Sequence, residues 1–161
     1  MALPASFLAG ATFQDALDST ALDLDLTSAT AGDFRCSLWR NTWTGTFDPE
    51  TTTDPAGTGI WVSTNEYDAT GYSTNDTEGY LSTPTLTSAA ATRKLVWDDN
   101  DATKVWTGLS GGTAGPYGVL ITEFVLARPI VFINFGAEFG LSAGTFQITW
   151  DPTDGIFNWS Y

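Results

Sequence analysis

There is no histidine anywhere in this chain of 161 residues. That removes the Ser-His-Asp and Cys-His catalytic groupings, and with them the His-containing zinc sites and the two-His iron sites. Cysteine is nearly as scarce: Cys36 stands alone, so an internal disulfide, a multi-cysteine metal site and an iron–sulfur cluster are excluded. A lone thiol suits synthesis in a reducing cytoplasm. Cations are few, six Lys plus Arg against 19 Asp plus Glu, for a formal net charge of −13. Nucleic acid is therefore an unfavourable partner, because a phosphate backbone rewards basic patches. Long apolar runs are missing too. The longest, from Val119 to Phe135, is broken by Thr122, Glu123, Arg128, Pro129 and Asn134, so neither a membrane-spanning helix nor a membrane partner is expected. The opening MALPASFLAGATF lacks a basic stretch and meets Asp15 and Asp18 at once; it does not read as a signal peptide. Carboxylates, hydroxyls and a few cations remain for chemistry, and no cofactor is implied.

What is present is a core. Hydrophobic residues make up 42% and aromatics 14% of the chain, and a single domain of this length takes roughly 70% of its unfolded surface out of water. In residues 6–18, Phe7, Leu8, Ala11, Phe13 and Leu17 recur at spacings that predict one short amphipathic helix. Residues 22–27, LDLDLT, and 33–40, DFRCSLWR, alternate apolar with polar and read as strands. In the second, Phe34, Cys36 and Leu38 share one side; Arg35, Ser37 and Trp39 share the other.

Residues 41–58 turn to Thr, Asp, Pro and Gly, a long loop with Asp-Pro turns at 48–49 and 54–55. A short apolar patch, IWV at 60–62, follows, and turn residues dominate 71–82. Beyond them lie RKLVW (93–97), ATKVW (102–106), PYGVLITEFVL (116–126), PIVFINFG (129–136), TFQITW (145–150) and GIFNWSY (155–161). All are rich in β-branched and aromatic residues and bounded by turn formers. The last two, joined by DPTDG, read as a hairpin. The expectation is an all-β fold, an antiparallel β-sandwich of jelly-roll-like type with a short N-terminal helix. Residues 1–20 form the N-terminal segment and 21–161 one sandwich domain.

Three constellations invite chemical readings. Asp98, Asp99, Asn100 and Asp101 place oxygens close enough for Ca²⁺, but the run lacks the Gly and Glu of an EF-hand loop. It reads first as a solvated turn and second as a weak surface Ca²⁺ site. Glu123 and Glu138, nearest the most apolar strands, are the best pair for a glycosidase acid and base. Alternation within the strand would instead turn Glu123 outward, and Glu138 lies in a Gly-rich turn. The glycines of GLSGGTAG, 108–115, precede a strand, whereas phosphate cradles need a helix to follow.

The aromatics offer contact surfaces. Trp150 and Trp159, at strand ends, suit the core or the rim of the sandwich, while Trp39 and Trp43 suit burial and exposed contact equally. Phe7, Leu8 and Phe13 have the same choice between packing on their own domain and docking on a neighbour. The candidate partner-binding residues are Phe7, Leu8, Phe13, Trp43 and Phe47; no catalytic, cofactor-binding or metal-binding residue is assigned.

RPIVFINFG followed by GTFQITWDPTDGIFNWSY resembles the C-terminus of a family of small tailed-bacteriophage virion proteins. FQDALDSTALDLDLTSATAGDFRCSLW, TEGYLS and VWTGLSGGTAGPYGVLITEF resemble its opening segment, central turn and middle strands. NTWTGTFDPETTTDPAGTGI departs from the pattern. The resemblance implies a β-sandwich, no enzymatic activity and a structural role. The implied role is a capsid decoration, or cement, protein on the outer surface of the virion, made in the host cytoplasm, that binds the major capsid protein and copies of itself, as a trimer or another oligomer. The alternative is a tail, neck or head-fibre component whose aromatic side chains bind host-surface glycans. An acidic-residue hydrolase is a third class, and it would require Glu123 and Glu138 to act together.

Overall fold

The computed structural model describes residues 7–8, 25–28, 30, 32–41, 65–73, 79–89, 93–100, 103–111, 115–123, 128–140 and 144–160. Among them are nine strands and no α-helix: β1 (Phe7–Leu8), β2 (Phe34–Trp39), β3 (Pro84–Ala89), β4 (Lys94–Asp99), β5 (Thr103–Leu109), β6 (Gly118–Glu123), β7 (Arg128–Asn134), β8 (Gly144–Thr149) and β9 (Phe157–Ser160). They form a four-stranded sheet in the order β1-β7-β6-β2, a three-stranded sheet β3-β4-β9 and a pair β5-β8. Every pairing is antiparallel. The protein is all-β in its described part.

The sequence pattern explains these strands to different depths. In β2, Phe34, Cys36 and Leu38 are buried while Arg35 and Ser37 are half-buried, as the alternation predicts. The central strand β6 is different: all six of its residues are buried. Val119 and Ile121 enter the main core, while Leu120 pairs with Phe132 and Ser37 from the opposite side and is equally shielded. A strand covered on both faces has no wet side for a polar residue. Glu123 is accordingly buried at 8% exposure, which corrects the outward-facing position expected for it.

One cluster draws on every sheet. Phe34 and Leu38 from β2, Val119 and Ile121 from β6, Ile130 and Val131 from β7, Trp97 from β4, Trp106 and Leu109 from β5 and Phe146 from β8 converge with Trp150 and Ile156. Cys36 is sealed in this cluster. Burial pushes its thiol well above the ordinary range, against the opposing pull of the Lys104 cation. Since the thiolate is the reactive species, Cys36 is expected to resist a thiol reagent such as DTNB in the native protein and to titrate fully in denaturant. Rapid native labelling, followed by absorbance, would contradict this packing.

Three further expectations are corrected. The helix over 6–18 does not start where predicted, because Phe7 and Leu8 are extended and pair with Phe132 and Val131 of β7; Phe13 and the rest of that segment lie outside the described residues. The strand over 22–27 fails in its described half. Asp25 Oδ1 instead accepts from the backbone N–H (2.9 Å) and hydroxyl (2.7 Å) of Thr27, and Ser28 N–H donates to the Asp25 carbonyl, closing a turn. Asp side chains compete for nearby backbone donors in this way and override a short period-2 pattern.

The third correction is the C-terminal hairpin. Asp151 and Gly155 do close the DPTDG turn, but the strands on either side separate: β8 pairs with β5 and β9 with β4. Strands β4 and β5, neighbours in sequence, are thus the partners of β9 and β8 in two separate sheets. From Trp97 to Thr103 is six residues, whereas from their partners Phe157 to Thr149 is eight. The strand β3, for which no pattern was found, covers the outer side of β4. Its exposed Leu86, Thr87 and Ser88 show why: with little to bury, it carries no apolar period.

Candidate functional site

Of the residues singled out in sequence, Phe7 and Leu8 belong to a two-residue strand in the four-stranded sheet. Phe13, Trp43, Phe47 and the IWV patch at 60–62 lie outside the described residues. Trp39 is buried at 1% exposure, and its indole N–H donates to Ser37 Oγ at 2.8 Å, so it offers no exposed contact. Trp150 takes the core option.

The acidic tetrapeptide is not a uniformly solvated turn. Asp99 is completely buried and ion-paired to Lys104, Nζ to Oδ2 2.7 Å. Its Oδ1 accepts from the Thr83 N–H (2.8 Å) and hydroxyl (3.2 Å), and the Ser82 N–H approaches Oδ2 at 3.4 Å. This carboxylate fastens the end of β4 to the start of β5 and to the segment before β3. Asn100 is exposed; Asp101 lies outside the described residues. Among the described residues no group of three or more carboxylate or thiol side chains is placed to hold a metal ion.

Asp98 is a separate case. Burial raises its pKa, and the Asp99 and Asp151 charges add to the rise, although a hydrogen bond from the Asp99 N–H opposes them. A folded-state pKa above the unfolded one means the native state holds the proton more tightly. The resulting stabilisation is full below the unfolded pKa and is lost as pH rises through the folded value. At neutral pH the ionised Asp98 is therefore a liability. Asp98→Asn, which keeps the acceptor oxygen, is expected to raise the urea midpoint modestly at pH 7 and to lose that advantage near pH 3. An equal gain at both pH values would show that charge is not the cause.

Glu123 and Glu138 are not brought together. Glu123 ends β6, whereas the Glu138 carboxylate accepts from the Gly115 N–H (2.7 Å), ahead of the other end of that strand. The strand alone spans about 16 Å at the usual rise, beyond the roughly 5–9.5 Å that separates glycosidase carboxylates. Gly108 and Gly115 serve the backbone. Gly108 adopts φ +67° where the β5–β8 register shifts, and a Cβ on Gly115 would lie 1.9 Å from the Phe139 carbonyl oxygen.

That close approach builds a surface feature with the character of a contact site. After β7, the Asn134 side chain accepts from the Gly136 N–H at 2.7 Å, and Gly136 takes φ +77°. The loop 135–140 then folds back on 115–117. Phe135 N–H donates to the Tyr117 carbonyl and Phe139 N–H to the Pro116 carbonyl, both at 3.0 Å, while Tyr117 Oη donates to the Gly136 carbonyl at 3.2 Å. Held this way, Phe135, Phe139 and Phe146 form a triangle with ring centroids 5.4, 5.8 and 6.0 Å apart. Phe146 is buried while Phe139 is 49% exposed.

Beside the triangle runs an open groove of about 400 Å³, lined by these three rings together with Gly140, Thr145, Gln147 and Ile148. Sequence reasoning passed over it, reading FGAEFG as a turn. The available signal was a large aromatic residue between two glycines, a costly residue to leave in a turn that buries little.

Compared with known proteins, the chain matches no family model, no curated protein and no solved structure. No helix among the described residues is long and apolar enough to cross a membrane.

Proposed function

We propose that this chain is a tailed-bacteriophage virion structural protein, a capsid decoration protein built as an antiparallel β-sandwich of jelly-roll-like type. The observation that carries the proposal is the Phe135–Phe139–Phe146 triangle, in which half-exposed Phe139, on a loop tied down by hydrogen bonds, rests on half-buried Phe135 and on buried Phe146 of β8. A shelf of this kind suits binding by burial. The resemblance of RPIVFINFG and GTFQITWDPTDGIFNWSY to phage virion proteins adds the setting. In this reading the chain binds the major capsid protein and copies of itself on the outer capsid surface, and it transforms no substrate. Phe7, Leu8, Phe13, Trp43 and Phe47 are further contact candidates.

Apolar burial contributes about 25 cal/mol per Å² before the cost of association. A few hundred Å² per copy becomes a large reinforcement when repeated around a closed shell. A surface carrying the bulk of a −13 charge would also keep particles apart. Quantitative mass spectrometry of purified particles, with antibody labelling under the electron microscope, tests the reading. Hundreds of copies spread over the head are expected. A handful at the neck or tail would favour the fibre alternative, and absence from particles would overturn the proposal.

A further inference from the structure

We infer that the groove beside Phe139 is a docking site for a short extended segment of another protein, one that presents a single apolar or aromatic side chain flanked by Lys or Arg. This goes beyond a place in a virion and does not depend on it: size and charge define the occupant.

Size argues against a second copy of this chain as the occupant. A stable protein–protein interface engages about 20–30 residues a side, whereas the groove, about 400 Å³, is lined by seven. That space accepts one large side chain and its neighbours, not the face of a domain. The rings are also fixed before binding, because the loop that carries Phe139 is bonded to 115–117 through Gly115, Pro116 and Tyr117. A preformed pocket spares the ordering cost that weakens short-peptide binding.

Charge defines the flanks. The residues lining the groove carry no charge of either sign, and the acid beside them is Glu138, exposed in the same loop. The cations with described partners are committed elsewhere: Arg40 to Asp68, Lys94 to Asp154, Lys104 to Asp99, and Arg35 over the Tyr80 ring. An incoming segment therefore meets an apolar slot in the surface of a chain whose net charge is −13. Lys or Arg beside the anchor is favoured and Asp or Glu is repelled. For the same reason two copies of this chain meeting groove to groove are disfavoured.

The test is a titration of the ¹⁵N-labelled full chain with two capped five-residue peptides, each with a central Phe, one flanked by lysines and the other by aspartates. The lysine peptide is expected to shift the backbone amides of 135–140 and 144–148 and to bind at least about ten-fold tighter than the aspartate peptide. Its affinity should fall several-fold as salt rises from about 0.05 M to about 0.5 M. Phe139→Ala, at a half-exposed position, should keep the native spectrum and lose the shifts; Glu138→Gln should weaken the lysine peptide alone. Equal affinity for both peptides, or shifts confined to another face, would overturn the proposal. So would shifts at 135–148 that grow with protein concentration alone, since a second copy would then be the occupant. Failure of the particle experiment leaves each of these outcomes readable.

Discussion

Lys104→Met is expected to cost about 3–5 kcal/mol of stability, because it leaves the fully buried Asp99 carboxylate without its counter-ion. At a urea m-value of about 2 kcal/mol/M, the midpoint should fall by roughly 1.5–2.5 M. The loss is large because Asp99 cannot turn to solvent. It is held by the Thr83 N–H and hydroxyl at the point where β4 leaves the three-stranded sheet and β5 enters the two-stranded one. Replacing both partners by Asp99→Leu with Lys104→Met should recover part of the loss, since a paired apolar substitution removes the stranded charge. Recovery should stop short of wild type, because the Thr83 N–H is then left without its acceptor. A double-mutant cycle measures the coupling. If Lys104→Met lowered stability by less than about 1 kcal/mol, solvent would have to reach this pair and the tie between sheets would be unimportant.

The behaviour of Asp99 shows where sequence reading reached its limit. Strand positions with a plain apolar alternation, such as Phe34, Cys36 and Leu38, were legible because burial of one face fixes a period of two. The same rule misplaced Glu123, since no local signal says that β6 is covered on both faces. Four successive polar residues at 98–101 look solvated when only neighbours in sequence are considered. Asp99 is buried by a lysine five residues on and a threonine sixteen residues back. The C-terminal hairpin failed for a related reason: DPTDG encodes a turn, and it makes one, but β4 and β5 decide where the flanking strands go. The Phe139 shelf was visible in composition and invisible in period, because a loop has none.

Trp97→Ala is expected to fall at the top of the 3–5 kcal/mol range for buried aromatic truncations. Trp97 is fully shielded, its ring 5.3 Å from Phe34 at 70° and 5.0 Å from Phe157. It therefore joins the four-stranded sheet to the β4–β9 ladder by direct ring contact. Two further ties act through the same residue. Its indole N–H donates to the Leu26 carbonyl at 2.7 Å, fixing the turn at 25–28, and its own carbonyl accepts from Ile156 N–H at 2.8 Å, where the DPTDG turn rejoins the sheet. Alanine removes the ring and the first bond but leaves the second. Trp97→Phe separates these contributions in part, because it keeps most of the buried area and loses the Leu26 bond, about 1–2 kcal/mol, together with a smaller cavity cost. With a domain stability of about 5–15 kcal/mol, the alanine variant should lose at least about a third of it and melt well below the phenylalanine variant. Thermal melts followed by circular dichroism distinguish the two. Similar melting temperatures for both variants would mean that the Leu26 bond, not the ring, holds the sheets together at this point.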